Sequence, residues 1–172
     1  MTNLVFNPDD FFKASSIKYN ELFFAINTLS GNGILIQDDN GKESLLNGNV
    51  DNAQLGQALL DTLAMSRTVL PQDDMDLYDY EKGAERYLNW VSRLQEFVGS
   101  KTKTKLFRPM LSLTIFQQNG TIFIQPSKQE KPEAWGEMKE CDMVRVSEDS
   151  SNEEIGRAVR LALTKCKSIF LK

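Results

Sequence analysis

Histidine is absent from all 172 residues. That removes the commonest general base, the usual Ser-His and Cys-His nucleophile pairs, and the commonest zinc ligand. Carboxylate and lysine chemistry remain open. Cysteine is almost as scarce: Cys141 and Cys166, 25 residues apart, match no metal spacing. So little cysteine fits a reducing compartment, and Cys166 falls on a helix's apolar stripe, where a buried thiol has a packing role. No basic stretch followed by an apolar run opens the chain, and no apolar stretch approaches the ~20 residues that span a membrane. A concentrated basic face is missing too, since 24 acidic residues outweigh 20 basic ones for a formal charge of −4. Nucleic acid is therefore disfavoured as a partner, whereas a basic protein suits this balance. A cytoplasmic protein is expected, with no cofactor, metal or small-molecule substrate indicated.

What remains is the composition of an ordinary globule, 41% apolar and 26% charged, long enough for one domain with a substantial core. "FQQNGTIFIQP", Phe116 to Pro126, marks a β-hairpin. Its residues alternate on either side of Asn119-Gly120, and both of those tolerate the positive φ of a type I′ turn. The register pairs Gln118 with Thr121, Gln117 with Ile122, Phe116 with Phe123 and Ile115 with Ile124. Leu111, Leu113, Ile115, Ile122 and Ile124 then share a core face, while the Phe116–Phe123 pair implies that the opposite face is also partly covered. A second Asn-Gly, Asn40-Gly41 within "GILIQDDNGKESLL", suggests a second hairpin. Further strands are expected at 22–28 and 143–146.

Two helices announce themselves. In "DNAQLGQALLDTLAMSR", Asp51 caps, Gln54 follows three residues on, and Leu55, Ala58, Leu59, Thr62 and Leu63 form one stripe. In "SNEEIGRAVRLALTKCK", Ser151 and Glu154 make a capping box, and Ile155, Ala158, Val159, Ala162, Leu163 and Cys166 repeat the stripe. Gly56 and Gly156 sit at the same phase, where glycine costs roughly 1 kcal/mol against alanine. A close backbone crossing at each would explain them. Either the chain contains an internal duplication, or two separate helices meet one packing need.

Between the halves, residues 77–98 form a long helix with Tyr80, Ala84, Tyr87, Leu88, Val91, Leu94 and Val98 as its stripe and Gly99 as its stop. Trp90 lies towards the stripe's edge. "PSKQEKPEAWGEMKE", residues 126–140, reads as a long polar connection holding Trp135. The fold class is α+β: one domain with an antiparallel or mixed sheet, hairpins, and about three main helices packed mostly on one face.

The second half resembles the immunity proteins of contact-dependent growth inhibition systems. The resemblance lies in the entry "TKLFRPMLSLTI", the loop "EKPEAW" and the helix start "SSNEEIGRA", in that order within Thr104 to Cys166. The first 100 residues carry none of these motifs, and Pro109 departs from the pattern at the strand entry. The resemblance implies a non-enzymatic protein that binds the C-terminal toxin domain of a cognate effector, often a nuclease, and blocks it.

Candidate contacts with such a toxin are the acidic run Asp73, Asp74, Asp76, Asp79 and Glu81, with Tyr78 among them, then Trp90, Trp135 and Glu137. Carboxylates can stand in for phosphates before a basic active site, and aromatics are enriched in interface hot spots. Each has a plainer reading. Acids favour a helix N-terminus, Trp90 could be core rim, and Trp135 could cover the hairpin's second face. Lys101, Lys103, Lys105 and Arg108 form a basic connector without the interleaved aromatics of a nucleic-acid site. A carboxylate enzyme and a general adaptor domain remain as alternatives.

Overall fold

Asn119 and Gly120 have φ of 50° and 80° and close the hairpin in the register expected, Gln118↔Thr121 through Ile115↔Ile124. The computed structural model describes residues 5–138 and 143–171. Its strands are β1 (Lys13–Asn20), β2 (Phe23–Ser30), β3 (Ile36–Gln37), β4 (Glu43–Asn47), β5 (Leu111–Gln118), β6 (Thr121–Lys131), β7 (Ala134–Glu137), β8 (Val144–Ser147) and β9 (Lys167–Ser168). The helices are α1 (Asn52–Ala64), α2 (Met75–Tyr78), α3 (Tyr80–Val98), α4 (Thr104–Phe107) and α5 (Asn152–Lys165). Every strand pairing is antiparallel except the short β6–β9 pair. The result is an α+β fold.

The sheet is built from a three-strand unit used twice. β1 and β2 form a hairpin and β4 pairs with β2; β5 and β6 form a hairpin and β8 pairs with β6. A helix follows each unit, α1 and then α5. The registers match: Phe24↔Leu46 and Ile26↔Ser44 in the first unit correspond to Ile122↔Val146 and Ile124↔Val144 in the second. The units join along β1 and β5, where Ser15↔Ile115 and Ile17↔Leu113 are mirror pairs about Ser16↔Thr114. A pseudo-twofold therefore passes through the centre of the sheet.

The two glycines lie on this symmetry. A Cβ at Gly56 would stand 2.0 Å from the backbone oxygen of Asn152, and one at Gly156 would stand 2.0 Å from that of Asn52. The helices cross each other at their first turns, each glycine admitting the other's backbone. Asp51 Oδ1 accepts from Gln54 N (2.8 Å), and at α5 both halves of the capping box form. Their apolar stripes meet Ile17, Phe24, Ile26, Leu113, Ile115, Ile122 and Ile124 in the main core.

Several expectations change. Asn40-Gly41 does not close a hairpin: β3 and β4 both pair with β2, as two pieces of one edge strand interrupted by residues 38–42. Gly41 is needed for space, since a Cβ there would meet the Thr28 side chain at 2.4 Å. β1 was not anticipated, because its core face carries only Ile17 and Tyr19 beside the buried Ser15, whose hydroxyl pairs with Thr62 (2.8 Å). The polar stretch after Pro126 is not a loop: β6 continues to Lys131 and turns back into β7. Within it Gln129 is fully buried, accepting from Met110 N (3.0 Å) and Ser168 Oγ (2.7 Å) and donating to Phe107 O (2.6 Å). Cys166 packs at the edge of the main core; Cys141, Lys139 and Glu140 lie outside the described residues.

α3 departs most. It covers the opposite face of the sheet from α1 and α5, packing on Phe23 and Ala25 with Leu106, Phe107 and Met110. Its buried side is Arg86, Trp90, Val91 and Leu94, while Tyr80 and Leu88 from the expected stripe are 89% and 58% exposed. Polar bonds flank this apolar seam. Arg86 pairs with Asp39 (3.1 Å) and Arg93 holds Glu43 bidentately (both 2.8 Å). Between them, with the Asn27 amide oriented to suit both partners, Trp90 Nε1 donates to Asn27 (3.3 Å). Arg86, Trp90 and Arg93 have helical spacing, but no apolarity rule selects them.

A second polar junction ties the loops beyond β2 and α1. Asp38, 5% exposed, accepts two bonds from Arg67 (2.8 and 3.0 Å), one from Ser30 Oγ (2.6 Å) and one from Asn40 N (2.9 Å). Arg67 also donates to Asp74 (2.9 Å), and Arg67 O accepts from Gly31 N (3.0 Å). Burial alone would raise the Asp38 carboxyl, but the Arg67 guanidinium, Ser30 and the Asn40 amide together hold it below its ordinary value.

Two tests follow from this packing. Gly56→Ala and Gly156→Ala should each lose roughly 1–3 kcal/mol despite alanine's better helix propensity, because the helices must separate. Gly83→Ala in α3, where an added Cβ meets nothing nearer than Arg86 Nη1 at 3.8 Å, should instead gain up to about 1 kcal/mol. Denaturant titrations of the three variants make the comparison. For Asp38 the sign is set by its depressed folded pKa: its contribution is complete above the unfolded value near 4 and is lost as pH falls through the folded one. Asp38→Asn should lower stability at pH 7 by roughly 1.5–3 kcal/mol and flatten the acid limb of the stability–pH curve below about pH 4.

Candidate functional site

Side chains alternate across a strand, so β1 and β5 turn Lys18, Ser112, Thr114 and Phe116 away from the main core. At one end of this face Phe116 and Phe123 are covered by Phe6 and Phe12. Phe6 stacks on Phe116 at 4.3 Å, and Phe12 meets Phe116 edge-on at 5.4 Å. This supplies the partial cover implied by the phenylalanine pair. α3 covers β2. The strip between these two covers is left open as a cleft of about 1090 Å³.

Ser112, Thr114 and Ser127 pave its floor. One wall is the N-terminal segment with Phe11 and Phe12. A second is the loop carrying Gly31 to Leu35, with Arg67 behind it. The third is β7 with Trp135 and Glu137. Phe11 and Ile34 on the rim are 68% and 58% exposed. The cleft is thus apolar on its walls and polar on its floor, with Asp9, Asp10 and Glu137 as its acids and Lys18 and Arg67 as its cations.

Lys18 is the cation on the floor. Its ammonium donates to Ser112 Oγ (2.7 Å) and sits 3.8 Å from the centre of the Trp135 ring. It forms no ion pair among the described residues. Burial lowers its pKa to about 8. Trp135 is held in turn, with its indole N–H donating to Met110 O (2.7 Å) and its ring against Phe107.

The sequence-derived candidates are divided by the fold. Trp135 and Glu137 line the cleft. Tyr78 and Asp74 brace its wall from outside: Tyr78 Oη donates to Val69 O (2.7 Å) and accepts from Asn32 N (2.9 Å), while Asp74 caps α2 and holds Arg67. Asp79 caps α3 through Lys82 N (2.8 Å), and Asp76 pairs with Lys82. Asp73 and Glu81 are exposed at the helix starts. Trp90 is 3% exposed, which places it in the core beneath α3 and leaves it almost no surface for a contact. Lys18, Arg67, Phe11 and Ile34 were not anticipated. Only the Ile17–Lys18–Tyr19–Asn20 alternation hinted at Lys18. Among the described residues no group of Asp, Glu and Cys is placed to hold a metal ion, and no helix is long and apolar enough to cross a membrane.

Comparison with known proteins supplies the context for this cleft. The family model for CDI (contact-dependent growth inhibition) immunity proteins matches residues 13–166. Immunity protein CdiI-YPIII of Yersinia pseudotuberculosis serotype O:3 (strain YPIII) is 38% identical over 167 residues, covering 89% of this chain and 94% of that protein. Among solved structures, the CdiA-CT/CdiI toxin and immunity complex from Yersinia pseudotuberculosis contains a chain matching with a TM-score of 0.84 and 35% identity, over 92% of this chain and 99% of that one. A Neisseria meningitidis protein of unknown function matches with the same TM-score of 0.84 and 38% identity, over 95% and 100% of the two chains. The family match runs from the start of β1 to the end of α5, and the chain belongs to the CDI immunity protein family.

Proposed function

We propose that this chain binds the C-terminal toxin domain of a cognate contact-dependent growth inhibition effector and neutralises it by binding alone, without chemistry of its own. The observation that carries the reading is the 92% coverage at a TM-score of 0.84 against a chain solved in a toxin and immunity complex. The cleft suits a polypeptide better than a small substrate, being broad, apolar on its walls and dotted with polar groups on its floor. The toxin on this reading is a nuclease acting in the cytoplasm. The −4 charge of the immunity protein suits a partner whose active site is basic enough to hold nucleic acid.

Trp135 and Glu137 are the direct contacts in this proposal, at the cleft wall. The acids at the starts of α2 and α3 act at longer range: Asp73, Asp76 and Glu81 steer the toxin, while Asp74, Tyr78 and Asp79 keep their structural bonds. Immunity favours fast capture, and opposite charge raises the association rate.

Expression of the toxin domain encoded by the neighbouring effector gene should kill cells, and co-expression of this chain should rescue them. A stable complex should elute together in size-exclusion chromatography. Absence of both rescue and complex, with measurable turnover by the purified chain, would favour the carboxylate-enzyme alternative. Within the complex, the triple variant Asp73→Asn, Asp76→Asn, Glu81→Gln should keep the wild-type melting temperature and associate several-fold more slowly at low salt, the difference vanishing at high salt. Stopped-flow association at two ionic strengths measures this. Equal rates at low salt would remove the acidic run from the interface.

A further inference from the structure

We infer that Lys18 is a specificity-determining residue of the cleft, receiving a carboxylate from an Asp or Glu side chain of the bound toxin segment. The inference rests on the proposed toxin-binding function and adds to it the chemistry of the group that enters.

The argument is geometric. An ammonium has three N–H donors. At Lys18 one is spent on Ser112 Oγ at 2.7 Å, and the Trp135 ring, 3.8 Å away, screens one side. Among the described residues no carboxylate pairs with this charge on the floor of the 1090 Å³ cleft. Ser112 of β5 and Trp135 of β7 contact the ammonium, and the charged groups lining the same cleft among the described residues are Asp9 and Asp10 of the N-terminal segment, Glu137 of β7 and Arg67 after α1. None of these acids forms an ion pair with it, and Arg67 is already held by Asp38 and Asp74. The other long cations on the sheet-facing side of α3 are matched, Arg86 to Asp39 and Arg93 to Glu43. A cation left without a carboxylate at the bottom of a cleft is costly to the free protein. Burial accordingly lowers its proton affinity to the neighbourhood of pH 8. A carboxylate brought in by the partner would complete the hydrogen bonding and restore the charge. An apolar or amide group at that position would leave the ammonium desolvated and unpaired, which is how one cleft can discriminate among toxins with similar overall shape.

The same geometry gives a signature that a passive packing residue lacks. Around pH 8 to 8.5 part of the free protein carries neutral Lys18. An incoming carboxylate raises its pKa, so binding takes up protons. Calorimetry of the wild-type chain with its cognate toxin domain, run at pH 8.3 in buffers of different ionisation enthalpy, should show proton uptake that disappears at pH 6.5. Lys18→Met should bind roughly 30-fold more weakly or worse and lose the uptake, while Lys18→Arg should retain most of the affinity and show no uptake from this site. Replacing the matching toxin acid with Lys should weaken wild-type binding, and Lys18→Glu should recover affinity for that toxin. Thermal melts establish that the variants are folded. The wild-type proton measurement stands whether or not they are. No uptake at pH 8.3, or Lys18→Met binding as tightly as wild type, would overturn the inference while leaving the immunity function in place. A wild-type chain that fails to bind the toxin domain at all would overturn both.

Discussion

The reciprocal contact of two helix starts governs this architecture. Gly56 lies against the backbone of Asn152 and Gly156 against that of Asn52, so α1 and α5 cross at closest approach on one side of the sheet. Close packing of that pair makes one continuous main core from both three-strand units. It also fixes the pseudo-twofold, because helices that meet symmetrically require their strands to meet symmetrically along β1 and β5. Each helix carries a cap that satisfies its first amides, and neither carries a side chain at the crossing that would hold the other away.

The symmetry is broken on the opposite face. The insertion between the units supplies α2, α3 and α4, and α3 docks over the first unit through Arg86, Trp90 and Arg93. The second unit receives no helix there. The rings of Phe6 and Phe12 cover one end of it, and β7, folded back from a long β6, walls another. The uncovered remainder is the cleft. Its existence follows from a two-unit sheet on which one long inserted helix, α3, covers only the first unit.

Polar bonds hold that arrangement where apolar area is scarce. Asp38 and Arg67 join the end of β3 to the segment after α1, and Asp74 and Tyr78 extend the junction to α2. Residues of the acidic run that looked like partner contacts are in part braces for the cleft wall. A carboxylate already engaged by guanidinium and backbone amides is poorly disposed to leave them for a partner. Asp73, Asp76 and Glu81 stay exposed beside these braces.

The hairpin at Asn119-Gly120, its register, its core face and both capped helices were legible in the amino-acid sequence. Each is written in local spacing: a turn that tolerates positive φ, alternation by two, or a stripe by three and four. The glycines at equal phase already implied a close crossing. Which backbone each one meets depends on two segments a hundred residues apart, so only the tertiary structure decided that they meet each other. Asn40-Gly41 had the same local signature as the true hairpin, yet β2 supplied a better partner for both flanking strands and left the turn as a loop in an edge. α3 buries Val91 and Leu94 of its expected stripe but turns Tyr80 and Leu88 outward, because its seam also takes in arginines and a tryptophan matched to acids and an amide on strands it does not adjoin in sequence. Lys18 stood in a strand too polar to announce itself, and its place on the cleft floor is set by what fails to cover it. The sequence by itself determined the periodic elements and their caps. Partners, faces and the open cleft were decided by long-range competition for burial and for countercharges.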